Sequence, residues 1–231
     1  MINWSSASVK TTTESILKKL EELKLEMDEK IVLIDQKTLD QKLTVKESKL
    51  VNEILKIDPL KYGFKGTFLG FDDIPNDLVA IKNQKYIFKR KKHKIETQYL
   101  RKKIFIAYGK MNKAIMTDLG KRLLIGSAYR SPTYQCLIFL YYLKIYNFNF
   151  TMTIKRVAMP SYSEHCSSTK SAIDFITKNG LPSDKKPLNF ARSAEYRWLK
   201  NNAIKFGFKL SYPIGNKRGI MFEPWHWQYQ G

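Results

Sequence analysis

Cysteine and histidine are nearly absent from this chain of 231 residues: two of the first, Cys136 and Cys166, and three of the second, His93, His165 and His226. With no CxxC pair and no framework spacing, there is no small disulfide-stapled scaffold to read, and the redox compartment stays open. Cys136 lies in an apolar stretch and reads as a small buried hydrophobe. Cys166 directly follows His165, and adjacent residues rarely both reach one ion. Long apolar runs are also missing. The longest, Cys136 to Leu143, spans eight residues. That is far short of the ~18–20 of a membrane span and suits a buried helix. Met1 to Lys30 holds no apolar core followed by a small-residue cleavage site, so no export signal is visible. Acidic residues are in deficit, 21 against 41 basic, for a net charge of +20. Such a balance fits a lysine-rich solvated surface, or a polyanionic partner such as nucleic acid, anionic wall polymer or anionic membrane. Charge alone does not choose among them.

What is present is enough for a core. Apolar residues make up 43% of the chain, ordinary for a globular protein. Residues 1–12 are polar and read as loose. From Glu14 to about Lys30, Ile16, Leu20, Leu23 and Met27 lay one stripe on a helix, with Thr12 or Thr13 as its cap. Ile31–Ile34 reads as a strand or a helix continuation, and Val45–Ile57 as a second helix that Asp58-Pro59 ends. Glycines, Pro75 and the acids Asp72, Asp73 and Asp77 mark loops over 63–80. Between Lys82 and Lys103 come ten basic residues and one acid, a solvated hairpin or loop or else a docking surface for anionic polymer.

Beyond that, helices are expected over Ile104–Leu119, Thr133–Asn147 and Ser193–Phe206, the last stopped by Gly207. Strands are expected over Leu123–Tyr129, Phe148–Val157, Ala172–Ile176, Phe208–Tyr212 and Gly219–Gln228, with loops over Ala158–Thr169 and Gly180–Asn189. Several neighbouring strands have short links. The expected class is therefore α+β, an antiparallel central sheet with flanking helices, carrying an N-terminal helical extension. The expected division is an extension over 1–60 and a main domain over 61–231.

Two segments combine metal-binding residue types near strand ends: Ser163-Glu-His165 with Asp174, and Glu223-Pro-Trp-His226. Imidazole and carboxylate suit Zn²⁺, and a catalytic site keeps three protein ligands with a fourth position open. His165, Asp174 and His226 would be those three, leaving Glu223 to take a proton from water. A loop histidine also serves as hydrogen-bonded surface, and a strand-end aspartate as a turn residue. The pattern by itself leaves both readings open.

A resemblance adds to it. From about Gly63 to Gly231 the chain resembles the VanY-type D-alanyl-D-alanine carboxypeptidases, zinc metallopeptidases grouped with lysostaphin and the Hedgehog signalling domain. The residues that carry it are Ser127-Ala-Tyr-Arg-Ser-Pro-Thr-Tyr-Gln135, Pro160-Ser-Tyr-Ser-Glu-His165, Ser171-Ala-Ile-Asp-Phe175, Glu195-Tyr-Arg-Trp-Leu199, Asn202 to Phe208 with Leu210-Ser-Tyr-Pro213, and Glu223-Pro-Trp-His-Trp-Gln-Tyr229. They fall in the family's order. The resemblance implies one Zn²⁺ on His165, Asp174 and His226. It implies Glu223 as general base and then acid, Arg130 as oxyanion stabiliser, and Gln135 and Ser163 as holders of the substrate's end. The implied substrate is a peptidoglycan stem peptide losing its terminal D-alanine. The same residues also serve L,D-carboxypeptidases and endopeptidases.

One departure matters. The family writes seven residues from His to Asp, and here His165 and Asp174 are nine apart, with Cys166 to Ser171 replacing a glycine-bearing turn. Two extra loop residues cost little chain entropy. If they moved Asp174 away from the metal, the protein would be a basic module that binds wall peptide without cutting it. Lys82–Lys103 would then, or in addition, hold anionic wall polymer. No nucleic-acid motif accompanies that stretch. Peptidoglycan lies outside the cytoplasmic membrane, so the resemblance implies the cell envelope, although no export signal is visible.

Overall fold

The computed structural model describes residues 2–71, 73–180 and 186–231. Met1, Asp72 and residues 181–185, half of the expected 180–189 loop, lie outside them. In chain order the helices and strands are α1 (Ala7–Met27), α2 (Gln36–Asp40), α3 (Val45–Leu55), β1 (Leu78–Ile81), β2 (Lys85–Phe88), β3 (Lys91–Lys94), β4 (Gln98–Arg101), α4 (Lys102–Leu119), β5 (Leu123–Ser127), α5 (Pro132–Ile145), α6 (Phe150–Ile154), β6 (Ala172–Thr177), α7 (Pro187–Ala191), α8 (Ala194–Asn202), β7 (Phe208–Leu210) and β8 (His226–Tyr229). The class is α+β, with small antiparallel sheets, flanking helices and N-terminal helices. The chain divides into two units. One is formed by Met1–Ile74, Arg130–Cys166 and Lys217–Met221, the other by Pro75–Tyr129, Ser167–Asn216 and Phe222–Gly231.

The first unit is helical. α1 begins at Ala7 because Ser6 caps it, its side chain accepting from the Val9 N–H at 3.3 Å. Residues 7–12 are therefore ordered helix, and Thr12 and Thr13 lie buried inside it rather than capping it. The hydroxyls of Thr11 and Thr12 donate back to the carbonyls of Ala7 and Ser8. Ile16, Leu20 and Leu23 are buried, and α1 packs against α3 and α5. Asp28–Leu33 is a 3₁₀ turn, the continuation rather than the strand of the two readings. α3 opens with a capping box between Thr44 and Glu47. α5 is apolar on nearly all sides and buries Cys136, Leu137, Phe139, Leu140 and Leu143, as a central core helix does. The expected strand over Phe148–Val157 is instead α6. Asn149 caps it, accepting from the Met152 N–H at 3.0 Å, and Phe150 stacks on Trp4 at 4.7 Å.

The second unit is built on a four-stranded antiparallel sheet in the order β5-β6-β8-β7. Leu123, Ile125, Ile173, Phe175, Phe208 and Trp227 from the sheet join Ile104, Met111 and Ile115 of α4 and Leu199 of α8 in one core. Emptying such a buried position, as in Ile115→Ala, costs ~2–5 kcal/mol. The basic stretch forms the hairpin β2–β3, turned by Lys89 and Arg90 at positive φ, followed by β4 paired with β1. The expected long last strand is confined to β8, because Pro224 and Trp225 form a turn ahead of it. No helix among the described residues is long and apolar enough to cross a membrane.

Candidate active site

In the second unit the sheet register does the positioning. β6 and β8 pair antiparallel, with Asp174 opposite His226. Their side chains meet, His226 Nδ1 lying 2.9 Å from Asp174 Oδ1. A bulge in β5 between Ile125 and Ser127 sets Ser127 opposite Asp174 on the other side. Gly126 sits in that bulge. A Cβ there would come within 3.0 Å of the Ile176 side chain and 3.4 Å of the Asp174 carbonyl, so the close approach to β6 needs glycine.

Positions three apart on an ideal strand face opposite sides, so Glu223 and His226 need a bend to share one site. The bend is the turn at Pro224-Trp225. The His226 N–H donates to the Glu223 carbonyl at 3.2 Å, and the Trp227 indole N–H donates to the Pro224 carbonyl at 2.9 Å. Glu223 Oε2 thereby comes within 3.8 Å of His226 Nδ1. Trp225 and Trp227 are buried core residues that hold the turn.

Tyr212 is a member of this cluster that sequence reasoning assigned no role. Its ring stands 4.8 Å from the His226 ring, and its carbonyl accepts from the Glu223 N–H at 3.0 Å. The Leu210-Ser-Tyr-Pro213 block was its signal in the sequence. The longer loop before Asp174 is tied down within the same unit. Ser167 Oγ accepts from the Lys170 N–H at 3.0 Å, and the Arg101 guanidinium donates to the Ser168 carbonyl at 2.7 Å. Arg101 is in turn paired with Asp77, whose carboxyl it holds below the usual carboxylate range. Asp174 itself lies in β6.

In the first unit, His165 is buried in the short 3₁₀ turn Glu164–Cys166, and its carbonyl accepts from the Arg130 N–H at 3.2 Å. Glu164 is buried and ion-paired with Arg218. Arg130 directly precedes the α5 cap. Ser131 Oγ accepts from the Tyr134 N–H and donates to the Ile34 carbonyl, and Pro132 fills the first helical position. Arg130 Nε is buried without a hydrogen-bond partner among the described residues. Gln135, 1% exposed, donates through Nε2 to the Ala158 carbonyl at 2.8 Å, while its Oε1 has no partner there. Ser163 is buried. Burial pushes the Cys166 thiol up to about 12.

The donor set can be tested on the Asp174–His226 pair. Two ligand atoms on bonds of ~2.0–2.1 Å at a tetrahedral centre stand about 3.3 Å apart. The observed 2.9 Å between Nδ1 and Oδ1 is a hydrogen-bond distance, a few tenths of an ångström inside that edge. Imidazole with carboxylate, and a second carboxylate just beyond, is the chemistry of a hydrolytic zinc site.

Comparison with known proteins gives the same direction. Residues 97–231 match the VanY family model, described as D-alanyl-D-alanine carboxypeptidase. The Bacillus subtilis (strain 168) protein YodJ, whose name assigns it provisionally to the carboxypeptidases, is 30% identical over 223 residues, covering 85% of this chain and 75% of YodJ. VanXYC of Enterococcus gallinarum, named as a bifunctional D-Ala-D-Ala dipeptidase and carboxypeptidase, is 32% identical over 117 residues, 50% of this chain and 60% of that protein. Among solved structures, the LdcB LD-carboxypeptidase, described as revealing the molecular basis of peptidoglycan recognition, superposes with a TM-score of 0.57 at 29% identity, covering 73% of this chain and 75% of that one.

Proposed function

The chain belongs to the VanY family of D-alanyl-D-alanine carboxypeptidases, and from that premise we propose that it hydrolyses the last peptide bond of a peptidoglycan stem peptide and releases D-alanine. The observation that carries the proposal is the Asp174–His226–Glu223 cluster, with 2.9 Å between the first two and 3.8 Å from His226 Nδ1 to Glu223 Oε2. His165, Asp174 and His226 would hold one Zn²⁺. A bound zinc would polarise the scissile carbonyl and lower the pKa of the attacking water from ~15.7 towards ~7.

The remaining steps belong to the chain's own residues. Glu223 takes a proton from the water as its oxygen bonds to the carbonyl carbon. Arg130 supplies fixed positive charge where the carbonyl oxygen becomes an oxyanion. Glu223 then returns the proton to the nitrogen as the C–N bond breaks, so the leaving D-alanine departs as a neutral amine. The buried Oε1 of Gln135, without a hydrogen-bond partner among the described residues, fits an acceptor for a substrate N–H. The Ser163 hydroxyl is assigned to the terminal carboxylate.

The test is release of D-alanine from a stem pentapeptide by the zinc-loaded protein, with Glu223→Gln as control. No release by a folded, metal-loaded wild type overturns the proposal. The LdcB likeness favours a second reading, removal of D-alanine from an L-configured residue. A tetrapeptide cleaved faster than a pentapeptide would select it. Either substrate lies outside the cytoplasmic membrane, which places the proposed action in the cell envelope. The β2–β3 hairpin, with Lys85, Lys89, Arg90, Lys91, Lys92 and Lys94, is the surface proposed for anionic wall polymer.

A further inference from the structure

The first unit contains a cleft of about 590 Å³ that none of the roles above uses. The start of α5 lines one side, with Ser131, Pro132 and Thr133, the residues that follow Arg130 in the chain. Leu55, Phe71 and Ile74 add apolar surface. The polar lining is Asp35, Gln36, Asn52, Lys56 and Asp73. A cavity of this size suits a ligand of one or two rings.

Its chemistry narrows the occupant. The chain carries a net +20, yet this cleft has two carboxylates, Asp35 and Asp73, against one cation, Lys56. A polyanion would find it less welcoming than the rest of the surface. An ammonium group fares little better. The Asp35 carboxylate already accepts from the Thr38 N–H at 2.7 Å and the Thr38 hydroxyl at 3.1 Å, and Lys56 adds a positive charge to the lining. A purely apolar ligand would strand Asn52, Gln36 and Asp73 out of water with their hydrogen bonds unmet.

What fits is a neutral ring with an apolar face and many hydroxyls. Phe71 is 49% exposed and offers a stacking surface, with Phe68 against it edge-on at 6.4 Å. Gln36 donates to Asp40 at 3.0 Å, and its Oε1 has no hydrogen-bond partner among the described residues. An acetamido N–H would satisfy that acceptor, and the acetyl methyl would pack on Leu55 or Ile74. We propose that this cleft is a subsite for an N-acetylated amino sugar, the glycan end of a peptidoglycan fragment. The substrate class rests on the function proposed above, whereas the sugar chemistry rests on the cleft.

Two measurements test it separately. The first is calorimetric titration with the peptide-free disaccharide of N-acetylglucosamine and N-acetylmuramic acid. The second is the ratio of kcat/KM for D-alanine release from the disaccharide-pentapeptide and from the free pentapeptide. Wild type is expected to bind the disaccharide and to prefer the glycan-bearing substrate by about tenfold. Phe71→Ala and Asn52→Ala are expected to abolish the binding and collapse the ratio towards one, with circular dichroism unchanged. Absence of disaccharide binding together with equal kcat/KM values overturns the proposal. So does a proportional fall on both substrates in the variants, which assigns the cleft to the peptide. If neither substrate is cleaved, the hydrolytic reading fails and the titration decides the subsite: binding that Phe71→Ala removes upholds it, and no binding overturns it.

Discussion

At the scale of residues, the proposed roles of Glu223 and Asp174 separate cleanly. Glu223 is a proton carrier, so Glu223→Gln should lower D-alanine release by ~10²–10⁴-fold, and metal content by mass spectrometry should stay at wild-type stoichiometry. Asp174→Ala removes a ligand. It should lose the metal and the activity together, and a variant that keeps both would remove Asp174 from the ligand set. The candidates themselves were legible in the sequence, because imidazole and carboxylate in a histidine-poor chain stand out. Tyr212 did not stand out. The Leu210-Ser-Tyr-Pro213 block marks its place, but no role follows from it until the fold brings its ring to 4.8 Å from that of His226. The ties that hold the loop before Asp174 were equally hidden, since Arg101 lies 67 residues from the Ser168 carbonyl it binds.

At the scale of elements, periodic apolar patterns were read correctly where one face is buried, as in α4. The misreadings share a cause. In Phe148 to Ile154 every second residue is apolar, which mimics a strand, but Asn149 as a cap and positive φ at Asn147 and Phe148 turn the chain into a new helix. The polar opening of α1 looked loose because its threonine hydroxyls satisfy themselves on the helix backbone.

α3 gives a prediction at this scale. Burial alone would raise the Glu47 pKa, but donors from Lys19, Ser15 and Thr44 outweigh it and bring it to about 2 from an ordinary 4.5. A depressed carboxylate contributes stability that is fully present above its unfolded pKa and is lost as pH falls through the folded one. Acid unfolding followed by circular dichroism should therefore show helix stability declining from about pH 4.5 to about pH 2. Glu47→Gln should cost roughly 2 kcal/mol at neutral pH and flatten that decline. An unchanged acid profile in the variant would contradict the assignment.

At the scale of the whole molecule, neither of the two units is continuous in sequence. Each is assembled from three stretches of chain. Linear reading follows neighbours along the chain, so it could name the elements of each unit but not which distant stretches share one. The charge is a whole-molecule property too. If the net +20 serves an anionic wall polymer, then retention on such a polymer should fall steeply with salt, and Lys89→Glu with Arg90→Glu should weaken it.

The claim on which everything else depends is hydrolysis by a metal held on His165, Asp174 and His226. The direct measurement is D-alanine released from a stem peptide before chelation, after chelation and after Zn²⁺ is restored, for wild type and Asp174→Ala. The expected result is release by wild type that stops on chelation and returns with zinc, and no release from Asp174→Ala under any of the three conditions. Release that survives complete metal removal, or that Asp174→Ala supports at the wild-type rate, would contradict the account.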